Sequence, residues 1–151
     1  MSIEKDINQL RKFRNEYHKS VVNLIFTYSW VTEKLKQYIE AEDLTLQQYN
    51  ILRILRGSDG PLSTLQIRDR MLDKMSDTSR IVDRLVLKKL AKKTISKKDK
   101  RLVDVVITAK GKTILAKLDT NQQMIDNAVN NLTEGEAKIL NGLLDKIRGS
   151  V

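Results

Sequence analysis

Apolar residues near the start of the chain recur at gaps of three and four: Ile3, Ile7, Leu10, Tyr17, Val21, Leu24, Tyr28, Val31, Leu35 and Tyr38. Arg14 is the one polar residue on that row, with Phe13 beside it, and no Gly or Pro falls between residues 4 and 41. Such spacing predicts a long helix with a heptad-like seam. A helix of that length runs roughly 55 Å, too far to bury its seam inside one small domain. It is therefore expected to bend or to pack against a second copy, and dimerisation is the favoured reading.

Beyond it the pattern breaks into shorter units with clear starts. "LTLQQYNILRIL" offers Thr45 and Gln48, "LSTLQIRDRM" offers Ser63 and Gln66 after the Gly60-Pro61 turn, and "LTEGEAKILNGLL" offers Thr133 and Glu136. In each, two side chains can satisfy backbone N–H groups left free at a helix start. Ser76 opens "SDTSRIVDRLVLKK", where Asp77 suits the positive end of the helix dipole. Thr108 opens another helix, expected to continue to about residue 131. The predicted order is a long helix, helices at 46–56, 64–72 and 77–89, a β-hairpin at 91–107, and two closing helices. Strand-forming residues appear only in that hairpin. The apolar faces of the closing helices (Ile114, Leu118, Ile125, Val129, then Leu140, Leu143, Leu144, Ile147) need partners. The fold class is mainly α with a small β-hairpin wing, on the plan of a winged helix-turn-helix.

Charge sharpens this picture. The chain has 151 residues and a net charge of +9. Residues 68–112 hold 15 Lys or Arg and 6 Asp, so the whole excess lies there and the remainder sums to zero. Confinement to one third of the chain suits a footprint for a polyanion better than a generally solvated surface. On the helix at 77–89, Ile81, Val82 and Leu85 form the inner face. Ser76, Ser79, Arg80, Asp83 and Leu87 lie opposite, with Arg84 on the flank; Thr78, near the inner face, is counted with them as a candidate contact. Arg pairs bidentately with guanine in a major groove, and Ser or Thr can contact bases or phosphates. An ordinary amphipathic surface helix shows the same residues, so the helix alone does not decide.

The hairpin shifts the balance towards a groove-reading helix, with a solvated basic hairpin as the plainer alternative. Its tip, Lys97-Lys98-Asp99-Lys100-Arg101, projects as a loop a few residues beyond that helix, and Val103, Val105 and Ile107 are expected to fasten its second strand to the body. Arg at such a tip can enter a narrow minor groove while lysines meet phosphates. Asp99 repels phosphate, so its expected role is to accept hydrogen bonds that shape the loop.

Taken together, "LTLQQYNILRIL", "STLQIRDRM", "SDTSRIVDRLVLKKLAKK" and "DKRLVDVVITAKG" resemble the MarR family of bacterial winged-helix transcriptional regulators. The most specific piece is Asp99, Arg101, Ile107, Thr108 and Gly111. The resemblance implies a winged lobe at 45–111 and dimerisation helices at 1–42 and 112–151, forming a homodimer on pseudo-palindromic double-stranded DNA. It implies that the 77–89 helix lies in the major groove, Arg101 of the wing reaches DNA, and Asp99 supports the wing. Repression is the default expectation. Lys89 departs from the family, which usually has Gly there; a helix that ends differently would alter the wing's approach. Lys93 stands where Arg is common.

Family members often release DNA when a small anionic or phenolic effector binds between the lobes. Tyr17, His18, Tyr28, Trp30 and Tyr49 are the candidate pocket residues, although Tyr17 and Tyr28 also lie on the helical seam. His18 is the only histidine and there is no cysteine, so neither a His-rich metal site nor a thiol switch is expected, and no cofactor is implied. No apolar run suggests a signal peptide or a membrane span, and a cytoplasmic protein is expected. An enzyme is disfavoured by the absence of a Gly-rich phosphate loop or a nucleophile–base motif. The alternative is a basic helical protein that binds polyanions or acidic partners without sequence preference.

Overall fold

Every one of the three predicted capping boxes forms. In the computed structural model, which describes residues 2–149, Thr45, Ser63 and Thr133 each accept a hydrogen bond from the backbone N–H three residues on. Gln48, Gln66 and Glu136 return the bond to the cap's own N–H. These caps start α3 (Leu46–Arg56), α4 (Thr64–Arg70) and α8 (Glu134–Ile147). The helix expected from Ser76 begins one residue later in its cap: Asp77 accepts from Arg80 N, and α5 spans Thr78–Leu87. Ser76 instead donates to Asp73 in the preceding turn.

The long N-terminal helix is two helices. A short α1 (Ile3–Asp6) is followed by irregular chain, and α2 (Glu16–Ile39) starts where Asn15 accepts from His18 N. Asn8 takes a positive φ of 52°, which stops α1 despite the continuing apolar spacing. Lys19 pairs with Glu4 at 2.6 Å and ties α1 to α2. Bending was one of the two expected outcomes for this segment. Past Ile39 a 3-10 turn (Glu40–Glu42) ends in a left-handed Asp43. The helix capped by Thr108 is likewise shorter than expected. α6 covers Ala109–Asp119, where Thr120 Oγ1 bonds back to Lys117 O, and a separate α7 spans Gln123–Asp126.

The hairpin forms from β2 (Ala91–Ile95) and β3 (Val103–Ile107), with Ile95 opposite Val103 and Ala91 opposite Ile107. A third strand, β1 (Leu62–Ser63), completes an antiparallel sheet in the order β1-β3-β2. Val105 is fully buried and pins the sheet to the body, whereas Val103, expected on the same inward face, is half exposed because the hairpin outruns the helices beneath it. The core gathers Ile39, Ile51, Leu52, Ile67, Met71, Val82, Leu85, Val105 and Leu115, none more than 1% exposed. No residue of α8 is buried. No helix among the described residues is long and apolar enough to cross a membrane.

Candidate nucleic-acid interface

The turn between α4 and α5 is fixed by short polar contacts. Asp73 accepts from Met75 N at 3.1 Å and from the Ser76 hydroxyl at 2.6 Å, and Asn50 on α3 accepts from Leu72 N at 2.9 Å. The Ser76 hydroxyl and the Met75 amide hold the Asp73 carboxyl below its usual range. This sets the angle at which α5 leaves the body.

Along α5 the two faces separate sharply. Val82 and Leu85 are buried, while Ser79, Arg80, Asp83, Arg84 and Leu87 are exposed. Thr78 belongs with the core and not with the free face: it is 4% exposed, and its hydroxyl lies 3.3 Å from Met71 Sδ. Its place in the first turn, below the cap, turns it inward. Asp83 is committed to Lys93 on β2 at 2.6 Å, so it braces helix against sheet. Arg80 sits loosely beside Asp77 at 3.7 Å with its side chain largely in solvent. Among the described residues Arg84 has no carboxylate partner.

At the tip of the hairpin, Asp99 accepts from the backbone N–H of Arg101 at 3.0 Å and from its guanidinium at 3.2 and 3.3 Å. These bonds, the backbone one foremost, hold the Asp99 carboxyl low. Leu102 N donates to Asp99 O and Ser96 N to Leu102 O, closing the loop. The clamp expected of Asp99 is present. Arg101 nonetheless leaves 90% of its side chain exposed, and Lys97, Lys98 and Lys100 are exposed beside it.

How α5 passes into the wing answers the question raised by Lys89. The helix ends as a Schellman turn, with Leu90 N on Leu85 O and Lys89 N on Val86 O, both at 2.9 Å. Lys89 adopts the left-handed conformation itself, at φ 61°. The turn is therefore the one glycine would make, at a cost of about 1 kcal/mol for the side chain. Thr108 then locks it by donating through its hydroxyl to Lys89 O at 2.8 Å and through its N–H to Leu90 O at 3.0 Å. Gly111 explains itself here: a Cβ would sit 2.4 Å from Leu90 O and 2.8 Å from Ile107 Cγ1.

Residues 42–102 match the family model described as MarR family. No curated protein matches the chain. Among solved structures, a MarR transcription factor from Planctomyces limnophilus is 28% identical, with 89% of this chain and 98% of that one aligned at a TM-score of 0.65. A cysteine-to-serine mutant of MarR from E. coli, complexed with operator DNA, is 23% identical over 91% and 99% of the two chains, TM-score 0.81. BpsR of Bordetella bronchiseptica, whose DNA binding is regulated by 6-hydroxynicotinic acid, is 22% identical over 83% and 89%, TM-score 0.74. The match covers the winged lobe, and the fold over most of the chain resembles that of MarR-family structures.

In this chain the five candidate effector residues do not converge. Tyr17 and Tyr28 are 84% and 69% exposed on α2, and His18 stacks edge-on against Phe13 at 5.4 Å. Tyr49 is buried, edge-on to Tyr38 at 6.0 Å and accepting from Arg53 at 3.1 Å. Burial and the neighbouring Tyr49 push the Tyr38 phenol up to about 12, in keeping with its hydroxyl donating to Leu118 O. Trp30 borders an open cleft of about 330 Å³ shared with Asp6, Asn23, Phe26 and Thr27. A second cleft of about 360 Å³ lies between the end of α2 and Lys88 and holds none of the five. Among the described residues no group of His, Cys, Asp or Glu is placed to hold a metal ion. Sequence reasoning missed Lys93 as the partner of Asp83; a Lys on the strand after an exposed helical Asp was the available signal.

Proposed function

We propose that this chain is a MarR-family, sequence-specific double-stranded DNA-binding transcriptional regulator, acting as a homodimer and most simply as a repressor. The observation that carries the reading is the exposure of basic side chains on two elements tied together by the Asp83–Lys93 pair. Ser79, Arg80 and Arg84 of α5 and Lys97, Lys98, Lys100 and Arg101 of the wing are all exposed. Of the acids beside them, Asp83 engages Lys93, Asp99 engages Arg101, and Asp77 caps α5 next to Arg80. α5 offers arginines to base edges in the major groove, and the wing offers cations to phosphates and the minor groove. The likeness to MarR bound to operator DNA supports this placement. Exposure of Tyr17, Val21 and Tyr28 on α2, and of Leu140, Leu143 and Ile147 on α8, supports a dimer that covers both helices.

Regulation of BpsR by 6-hydroxynicotinic acid supports release by a small aromatic or anionic ligand. Within one protomer Tyr17, His18, Tyr28, Trp30 and Tyr49 are spread over exposed and buried positions, so a ligand site built on them would need the partner to complete it. The test is titration of the protein into its own upstream intergenic DNA and into a scrambled duplex at two salt concentrations. Preference by roughly 10³ or more marks a specific reader, and equal, steeply salt-dependent binding marks a general polyanion surface. Arg101→Ala should weaken binding and lower the salt slope by about 1; unchanged affinity would remove the wing from the interface.

A further inference from the structure

The recognition surface rides on α5, and α5 is tied to the end of α2 through one side chain. Lys88 caps the C-terminus of α5. Its ammonium crosses to the turn after α2, where it donates to the backbone carbonyl of Asp43, to the Asp43 carboxylate at 3.1 Å and to Gln48 Oε1 at 3.4 Å. Gln48 is 3% exposed, and the same Oε1 already accepts from Thr45 N to start α3. Asp43 is left-handed at φ 51°, which ends the 3-10 turn and leaves its carbonyl to Lys88. The Asp43 carboxylate is 96% exposed, so the carbonyl and the buried glutamine carry the joint. From below, Lys110 donates to Lys88 O at 3.2 Å. The end of α5, the start of α3 and the turn that follows α2 thus meet at one ammonium.

We propose that Lys88 is a positioning residue for DNA reading: it fixes the angle between α5 and α2 and so sets the separation of the two recognition helices in a dimer. The DNA consequence rests on the function proposed above; the joint itself does not. Lys88 carries a formal charge within the basic segment, yet that charge is spent inside the protein. Its neighbour Lys89 is the useful contrast, an exposed lysine that makes no side-chain bond among the described residues.

The experiment compares full-length Lys88→Met, which keeps the aliphatic stem, with Lys89→Asn, which removes the adjacent charge and tolerates the left-handed turn. Because the chain has no cysteine, Ser20→Cys on α2 and Ser79→Cys on α5 can carry spin labels, diluted with unlabelled protein. Lys88→Met should shift or broaden the distance distribution, while Lys89→Asn and the conservative Lys88→Arg should not. Identical distributions in all of them overturn the joint, whether or not the protein reads DNA.

Affinity is then measured for the operator and for the same operator with one base pair inserted between its half-sites. Lys88→Met should lower the ratio of the two affinities by roughly 2- to 30-fold, and Lys89→Asn should weaken both equally. If Lys88→Met also weakens both equally and lowers the salt slope by about 1, Lys88 is a phosphate contact and the positioning role is wrong. A wild-type protein that shows no preference for any duplex defeats the DNA reading instead, and the spin-label distances alone decide the joint. Should Lys88→Met fail to fold, Lys88→Gln, which keeps a neutral donor, takes its place in both measurements.

Discussion

The winged lobe and the helical arms are written in the same alphabet of apolar spacing, and they end in opposite conditions. In the lobe, Ile51, Leu52, Ile67, Val82 and Leu85 are all completely buried. On the arms, Tyr17, Val21, Ile25 and Tyr28 of α2 and Ile139, Leu143 and Ile147 of α8 are all more than half exposed. Periodicity reports which side of a helix is apolar; it does not report what covers that side. In the lobe the cover is supplied by neighbouring helices and a sheet of the same chain. On the arms the chain runs past its own core, and a second copy is the cover proposed here.

The contrast breaks hardest at the centre of the lobe. Leu52→Ala should cost about 2–5 kcal/mol, because Leu52 is completely buried in the core and its removal leaves a cavity. The loss should appear in denaturant unfolding at every protein concentration. A cost below 1 kcal/mol would mean that the lobe is far looser than its burial indicates.

The arms should respond differently. Leu143→Asp places a charge on the face of α8 that the proposed dimer covers, and should weaken self-association by roughly 30-fold or more. Light scattering should show the shift to monomer, and the thermal midpoint should lose its dependence on protein concentration. A wild-type protein that is monomeric throughout the micromolar range leaves the arms without their proposed cover.

What could be read from sequence follows the same division. Caps were legible because they are local: Thr45, Ser63 and Thr133 need only a partner three residues away. The wing was legible because its charge and its alternation sit side by side. Non-local features were not. β1 is two residues long and exists only because Leu62 and Ser63 pair with Val105 and Asp104. Thr78 looked like a groove residue because its hydroxyl is polar, but one turn of helix carries it under α5 towards Met71. The break before α2 was hidden by apolar spacing at Ile7 and Leu10 that continued through it. Asn15 before Glu16 was the cap that marked the true start. Of the proposed DNA contacts, Thr78 and Asp83 are the ones already engaged within the protein.

A smaller change sharpens the lobe's side of the comparison. Lys89→Gly should stabilise by about 1 kcal/mol, since Lys89 already occupies the left-handed geometry that glycine adopts without a steric penalty. A raised thermal midpoint with an unchanged wing is the expected result. Destabilisation would mean that the lysine stem contributes packing that outweighs its backbone strain.

The smallest effect lies at the far end of the arm, where it decides whether the N-terminal seam really folds back. In an unbroken helix Glu4 and Lys19 would stand roughly 22 Å apart and could not interact. In the bent form they pair at 2.6 Å. The Lys19 ammonium, with the backbone amide of Glu4 itself, lowers that carboxyl from 4.5 to about 2. A lowered folded value means the pair stabilises the bend fully above 4.5, and that support is lost as pH falls through about 2. Following the Glu4 side-chain carboxyl carbon by NMR should give a midpoint well below 4, and Lys19→Gln should return it towards 4.5. Since both side chains are about one third exposed, added salt should erode the shift in part. A wild-type midpoint near 4.5 that ignores Lys19 would separate α1 from α2, and would return the N-terminus to a single long arm.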